Sequence, residues 1–328
     1  MKTKDKISII VPCYNVQDYL FNCFECIKNQ TYGFGNLEVI FVDDVSSDDT
    51  WELLESIRNE YPKNVKIFKL DKKGNSGGAR NKGIDNCGGK YLTFIDADDL
   101  VHPMTLEIFY KQMLIDDYDI VQNESFMFFD TLPKFKEIKE YKIDTYDLSD
   151  VEARKKILLG LTKDLNLTVW GKLYKTSFIK ENNLRFIENR YFEDNHFTLM
   201  CSLLADKYCK VHVPLYGYYN NTSGTILKRL NFDKIHNLEL VIKAALKEIK
   251  ARKLDDGVAL DCKDELANFI FYKMYIETTT NLEKACKAEK EYYKNEILEI
   301  LPNISENKYV KKYKDEDIIK KIEDLKSI

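Results

Sequence analysis

The chain predicts an α/β fold: a mainly parallel sheet covered by helices on both faces, followed by a helical C-terminal region. Three observations carry that expectation. Over the first 125 residues, short runs rich in β-branched and aromatic residues alternate with stretches of helical spacing. Loops carrying Asp, Asn and Gly follow the strand-like runs, where ligands gather in such sheets. From about residue 231 onward the pattern is almost wholly helical.

The strand-like runs are Ile7 to Val11, Leu37 to Val42, Val65 to Leu70, Tyr91 to Ile95 and Asp119 to Gln122. Between them, Tyr19, Leu20, Cys23, Phe24 and Ile27 recur at three and four, as do Trp51, Leu54 and Ile57 with Arg58 on a charged face. Strand and helix in alternation imply a parallel sheet buried on both faces. Pro12 to Asn15, Asp43 to Ser47, Asp71 to Gly78 and Asp96 to Asp99 then read as four loops converging on one cleft. The domains expected are 1–228, with a ligand half at 1–125 and an acceptor half at 126–228, and a helical region at 229–328. Within the latter, Ile235 to Arg252 and Leu266 to Thr280 read as long helices. The tail, Tyr309 to Ile328, alternates Lys pairs with Ile and Leu; it reads as a solvated helix, contact with a membrane surface being the other reading.

At 328 residues the chain can bury a substantial core. Its net charge of -4 with 32% charged residues argues against a nucleic-acid partner, which calls for a basic excess. No apolar run approaches the roughly 18 residues of a membrane-spanning helix, so the chain reads as soluble, cytoplasmic and unprocessed, with contact at the inner face of the membrane and self-association left open. Eight cysteines are scattered, and the lone Cys23-x-x-Cys26 lies in a helical run without a second pair at zinc-site spacing. Ordinary reduced thiols are expected.

The stretch Phe94-Ile-Asp-Ala-Asp-Asp99 carries the most chemistry. Carboxylates at the end of a buried strand repel one another and lose hydration, so a positive partner is expected. Magnesium or manganese suits oxygen ligands and is often held by one or two carboxylates together with substrate phosphates, which suggests a nucleoside diphosphate site. Gly77 and Gly78 would let the backbone approach a ligand closely, while the Arg80 guanidinium forms forked bonds to phosphate. A strand ending in Pro12-Cys-Tyr14-Asn15 offers an aromatic face and open backbone groups for a uracil ring, and Asp44 could accept its imide N–H. Asp49 and Thr50 serve the start of the next helix.

In order and spacing, Ser8-Ile-Ile-Val-Pro-Cys-Tyr-Asn15, Val42-Asp-Asp-Val-Ser-Ser-Asp-Asp-Thr50, Asn75-Ser-Gly-Gly-Ala-Arg-Asn-Lys-Gly83 and Phe94-Ile-Asp-Ala-Asp-Asp99 resemble the inverting glycosyltransferases of family 2, which have the GT-A fold and use nucleotide-diphosphate sugars. Trp170-Gly-Lys-Leu-Tyr174, Phe192-Glu-Asp194 and Tyr218-Tyr219 with Ser223 resemble elements of the bacterial polysaccharide-assembling members, and carry the resemblance to about residue 225. The resemblance implies transfer of a sugar from a nucleotide-sugar donor, a UDP-sugar, to a hydroxyl of a glycan or lipid-linked acceptor, with Mn2+ or Mg2+. It assigns Pro12, Tyr14, Asn15, Asp44, Arg80 and Asp96 to the donor, Asp98 to donor and metal, and Asp194 to the base that deprotonates the acceptor. The lesser alternative for Asp194 is an N-cap of a helix from Asn195, Trp170 is equally a sugar-facing wall or core, and Asp99 is expected to cap the helix beginning near Pro103.

Two departures stand out. Many relatives carry Asp-Asp-Gly-Ser where this chain has Asp43-Asp44-Val45-Ser46, which removes glycine's access to positive φ. Asn220 stands where a basic residue often follows the Tyr-Tyr element, leaving Lys228 or Arg229 to supply charge to the diphosphate, if any residue does. A dinucleotide-binding sheet would need Gly-x-Gly-x-x-Gly after the first strand, which Pro12-Cys13-Tyr14-Asn15 replaces. A nucleotidylyltransferase would need a Gly-rich basic loop there. A catalytically weak scaffold that binds sugar nucleotide is the non-enzymatic alternative, opposed by Asp96, Asp98 and Asp194.

Overall fold

The computed structural model describes residues 4–129, 135–149, 168–219 and 232–252, with a few isolated positions besides. The chain divides into two compact units, Met1–Ala153 with Asn166–Asn220, and Arg154–Leu165 with Asn221–Ile328. In the first unit, strands β1 (Ile7–Cys13), β2 (Leu37–Asp43), β3 (Val65–Lys69) and β4 (Tyr91–Phe94) alternate with helices α1 (Leu20–Lys28), α2 (Thr50–Glu60) and α3 (Asn75–Asn86). There follow β5 (Leu100–Val101), α4 (Thr105–Ile115), β6 (Ile120–Phe129), β7 (Lys142–Asp147), β8 (Lys172–Lys175), α5 (Thr176–Glu181), α6 (Glu193–Leu204) and β9 (Lys207–Tyr219). The sheet order is β3-β2-β1-β4-β8-β6-β9-β5, with β7 also paired to β9.

The first four strands are parallel as expected; the largely apolar sequences of β1, β2 and β4 follow from burial on both faces, whereas β3, at the end of the strand order, carries exposed Lys66 and Lys69. In β1, Ile7, Ile9, Ile10 and Val11 are fully buried. The polar exception, Ser8, donates to Glu38 Oε2 at 2.5 Å and accepts from the Gly89 N–H at 2.9 Å, so its hydroxyl is satisfied inside the sheet. Helix α1 buries Leu20, Cys23, Phe24 and Ile27, the stripe its spacing predicts. The second half of the sheet mixes directions: β8 runs antiparallel to β4 and β6, and β9 runs parallel to β6 but antiparallel to β5 and β7. The free cysteines include Cys23 and Cys26, both within α1.

One element departs from the sequence reading. The segment taken as a loop through Gly78 becomes helix at Asn75, so Gly77, Gly78 and Gly83 are helical. Glycine costs a helix about 1 kcal/mol per residue relative to Ala. Close packing explains its presence: a Cβ on Gly83 would lie 2.3 Å from Ile10 Cγ2, so α3 rests directly on β1.

In the second unit, the described helix α7 (Phe232–Ala251) buries Asn237, Val241, Ala245 and Ile249, one stripe at intervals of four. The stretch Leu266 to Thr280, the tail from Tyr309, the residues Lys228 and Arg229 and the boundary expected at 228 lie outside the described residues. Among the described residues no helix is long and apolar enough to cross a membrane.

The α3–β1 contact makes a direct prediction. Gly83→Ala lowers stability by about 1–3 kcal/mol through overpacking, despite alanine's better helix propensity. Urea unfolding of Gly83→Ala, Ile10→Ala and the double variant checks it, and the double variant should lose less than the sum because Ile10→Ala removes the obstructing atoms.

Candidate active site

Three neighbouring strand ends build the site. β1 lies between β2 and β4, and its register sets Cys13 beside Asp43 and Ile10 beside Phe94. The chain therefore delivers Tyr14 and Asn15, then Asp44, then Asp96 to Asp99 to one edge of the sheet.

At the first corner the loops lock to one another. Asn15 Oδ1 accepts from the Ser47 N–H at 2.8 Å, and the Asn15 N–H donates to Ser46 Oγ at 3.0 Å. Asp44 is buried, and its Oδ1 accepts from the Gly74 N–H at 2.6 Å. Burial raises the Asp44 carboxyl above its ordinary value, against the pull of the Gly74 amide and Lys73. The Tyr14 ring is 40% exposed, with Lys73 Nζ 3.7 Å from its centroid. One aromatic face is thus already covered by a cation. Pro12 is half-buried within β1, where it sits beside Val42. Val45 keeps a left-handed backbone, φ 61°, although it is β-branched. The loop geometry that glycine would allow without strain is imposed here on valine by its surroundings.

The second corner gathers acid. Arg80, on α3 and buried, donates from one terminal nitrogen to Asp96 Oδ1 and from the other to Glu193 Oε1, both at 2.7 Å. The fork that the sequence offers to phosphate is taken by two carboxylates. Burial works against the guanidinium's charge, but Asp96, Glu193 and Asp194 outweigh it and hold the group above its ordinary value. Glu193 is itself pushed up to about 7 by burial, despite Arg80. Asp98, half-buried, is pushed up to about 6 by burial and then by Asp96. Among the described residues no basic side chain pairs with it.

Asp99 does not cap α4. Its Oδ2 accepts from the Tyr216 hydroxyl and its Oδ1 from the Tyr219 N–H, each at 2.8 Å, which ties the end of β4 to β9. The Tyr216 hydroxyl oxygen also accepts from the Asp96 N–H at 3.1 Å, and its ring stacks on buried Trp170 with centroids 4.2 Å apart. Trp170 is therefore chiefly a support for Tyr216. The half-buried Tyr218 lies alongside, its ring centroid 5.8 Å from that of Trp170. Burial, Asp99, Asp96, Asp98 and Asp194 raise its hydroxyl to about 12.

Asp194 occupies the first turn of α6, where a carboxylate complements the helix dipole. It is not the N-cap: that place belongs to Phe192, in a left-handed conformation at φ 64°. Asp194 Oδ1 accepts from the adjacent Asn195 N–H at 2.9 Å. Its pKa is raised, first by burial, against Arg80 and with Asp96 adding to the rise. Glu193 and Asp194 thus differ in role by geometry: the first is fixed to Arg80 and the second is not.

Sequence reasoning missed Lys73, Asn81 and Tyr216. Lys73 was visible in the run Asp71-Lys-Lys-Gly74, and Asn81 shares a helical face with Gly77 four residues earlier. Tyr216 has no local signal, because its partners lie more than a hundred residues away.

Solved structures share this fold. TarS of Staphylococcus aureus, residues 1–349 in complex with UDP-GlcNAc, superposes with a TM-score of 0.62 at 22% identity, over 81% of this chain and 71% of that one. The mannosyltransferase PcManGT of Pyrobaculum calidifontis, in complex with GDP-Man and Mn2+, gives 0.52 at 14% identity, over 85% of this chain and 76% of that one. The architecture is the GT-A fold. Glycosyltransferase GlyA of Streptococcus pneumoniae is 30% identical over 228 residues, which is 66% of this chain; the chain spans 31% of that protein's length. Residues 8–181 match the family described as Glycosyl transferase family 2, and the chain belongs to that family.

The acid cluster gives the unliganded protein a pH dependence. A carboxyl whose pKa is raised by folding contributes full stability below its unfolded value, near 4, and that contribution is lost as pH rises through the folded value. Asp98 and Glu193 therefore weaken the fold between about pH 4 and pH 7. Asp98→Asn removes one of these groups, so the loss of stability between about pH 5 and pH 7 becomes shallower. Urea midpoints at the two pH values check it, and a slope equal to wild type would show that Asp98 titrates as a solvated carboxyl.

Proposed function

We propose that the chain transfers a sugar from a UDP-sugar to a hydroxyl of a glycan or lipid-linked acceptor in cell-surface polysaccharide synthesis, with inversion and with Asp194 as base. The observation that carries this reading is the division of labour at the start of α6: Arg80 holds Glu193, while among the described residues the second carboxylate oxygen of Asp194 has no hydrogen-bond donor on another residue, in the same acid-lined corner. An inverting displacement needs one such carboxylate within hydrogen-bond reach of the attacking hydroxyl. The raised pKa of Asp194 strengthens it as a base once it is ionised. Tyr14 and Asp44 hold the uracil end. The Tyr14 face opposite Lys73 takes the ring, and Asp44, anchored by Gly74, takes the imide.

The donor set suits a divalent cation. Asp98 and Asp96 are hard oxygen donors of like charge at one strand end, and Asp98 is pushed up in part by Asp96. Among the described residues no group of three or more acidic, His or Cys side chains converges as a metal site. The remaining ligands would then be phosphate oxygens and water, the usual arrangement for magnesium or manganese with a nucleotide. When bound, the cation would offset the charge that builds on the departing UDP. PcManGT in complex with GDP-Man and Mn2+ supports this reading. Arg80 acts beneath the donor, holding Asp96 and Glu193 at fixed separation, and Asp96 turns its other oxygen to the ribose or sugar hydroxyls.

Asp194→Asn keeps size and part of the hydrogen bonding but cannot take the proton. Turnover should fall by about 100-fold or more while affinity for the UDP-sugar changes little, the signature of an interaction made in the transition state. UDP release from a panel of UDP-sugars, with calorimetry for binding, measures both. Near wild-type turnover in Asp194→Asn, with loss in Glu193→Gln, would move the base one residue earlier.

The metal reading has its own test. Asp98→Asn weakens UDP binding far more with manganese present than without it, because the substitution removes both a ligand and a charge. Calorimetry on the two proteins, with and without manganese, reads this directly. Equal affinity in all four conditions removes the metal role from Asp98.

A further inference from the structure

Helix α3 does more than carry Arg80. The segment 184–192, which leads into Glu193 and Asp194, lies along the helix and is fastened to it through main-chain atoms. The buried Asn81 amide clasps Phe186 on both sides: Oδ1 accepts from the Phe186 N–H at 2.9 Å, and Nδ2 donates to the Phe186 carbonyl at 3.0 Å. The Asn189 N–H donates to the Gly74 carbonyl at 3.0 Å, at the N-cap of α3. Between these two points the Ile187 carbonyl is pressed against Gly77. A Cβ on Gly77 would lie 2.5 Å from Ile187 O and 3.2 Å from Glu193 Cγ, whereas a Cβ on Gly78 would meet only ordinary contacts, the nearest being Leu70 Cδ1 at 3.6 Å. The two adjacent glycines are not equivalent.

We propose that Gly77 and Asn81 are positioning residues for Asp194: the bare backbone at Gly77 forms a seat for the Ile187 carbonyl, and the Asn81 amide clamps the seated segment, which fixes where α6 begins. The backbone at the hinge supports a forced placement. Phe192 at φ 64° adopts a left-handed conformation that costs a bulky residue about 1–3 kcal/mol, and Asn189 at φ 57° adopts the same conformation, which asparagine tolerates more readily. Such conformations persist only where the surroundings over-determine them. The Arg80–Glu193 ion pair lies on the same face of α3, so seat, clamp and ion pair act on one segment. Removing the seat would shift the base relative to the donor, and a displacement of about 1 Å can cost on the order of 100-fold in rate.

This inference rests on the reading of Asp194 as base, and its test separates the two. In the full chain, Gly77→Ala and Asn81→Ala should increase hydrogen exchange at the Phe186 and Asn189 amides by about tenfold or more, while the amides of Asp44 and Ile95 keep wild-type protection. UDP affinity should stay within about twofold while kcat for UDP release from the UDP-sugar falls about tenfold or more, a loss confined to the chemical step. Without the obstruction, alanine would strengthen the helix by about 1 kcal/mol, so faster exchange in Gly77→Ala cannot come from helix propensity. Asn81→Ala carries the same expectation without adding an atom, and decides the matter if Gly77→Ala fails to fold. Unchanged protection at Phe186 and Asn189 overturns the proposal, as does a loss of UDP affinity in step with kcat, which would mean that Gly77 serves the donor. If Asp194→Asn keeps its turnover, the base assignment falls instead, while faster exchange in Gly77→Ala still upholds the seat.

Discussion

The site depends on one buried guanidinium. Asp96, Asp98, Asp99, Glu193 and Asp194 bring carboxylates from the end of β4 and the start of α6 to one corner, and Arg80 pairs with one from each side. Its two terminal nitrogens reach partners 16 and 113 positions away in sequence, so a planar fork is needed where an ammonium would give a single point of attachment. The arrangement has an energetic asymmetry. A buried ion pair adds little net stability, but removing its cation leaves uncompensated charge at a cost of about 3–5 kcal/mol. Arg80 thereby acts as a keystone between the end of β4, which leads into Asp96, and the start of α6, which carries Glu193 and Asp194. Its Nε atom, buried and without a hydrogen-bond partner among the described residues, is one measure of how far the side chain is committed to its two ends.

The aromatic side of the cleft is organised in the same way, through one group that serves two. Tyr216 accepts from the Asp96 N–H and donates to Asp99, so a single hydroxyl fixes both ends of the acidic turn. Trp170, stacked against it, prevents the ring from turning away. With Asp99 also receiving the Tyr219 N–H, the turn that presents Asp98 is anchored on both flanks, and Asp98 is left as its free point.

Much of the first half was legible because local pattern and tertiary role coincide there. The apolar run of β1 and the stripe Leu20, Cys23, Phe24 and Ile27 are read directly from period. The loops after β1, β2 and β4 follow from the strand ends, and the family resemblance named their residues. Legibility stopped where packing overrode propensity. Gly77 and Gly78 look like a turn and are helix, and packing requires glycine at two places on that helix: Gly77 for the close approach of Ile187, and Gly83 for that of Ile10. The bonds from Arg80 to Glu193 and from Asp99 to Tyr216 and Tyr219 were hidden for a different reason: each spans more than a hundred residues, and no local pattern encodes it. Val45 shows the opposite error: a β-branched residue reads as barred from positive φ, yet the backbone there adopts φ 61°.

The way segment 184–192 is held has an evolutionary consequence. Helix α3 grips the Phe186 and Asn189 amides and the carbonyls of Phe186 and Ile187, atoms that every residue other than proline supplies. A grip on main chain is blind to side-chain identity. Ile187 and Arg190 can therefore drift, while the grip on the main chain keeps the start of α6 and Asp194 in place. Variation in the side chains of this segment is thereby uncoupled from variation in where α6 begins, and a lineage can explore the first without risking the second.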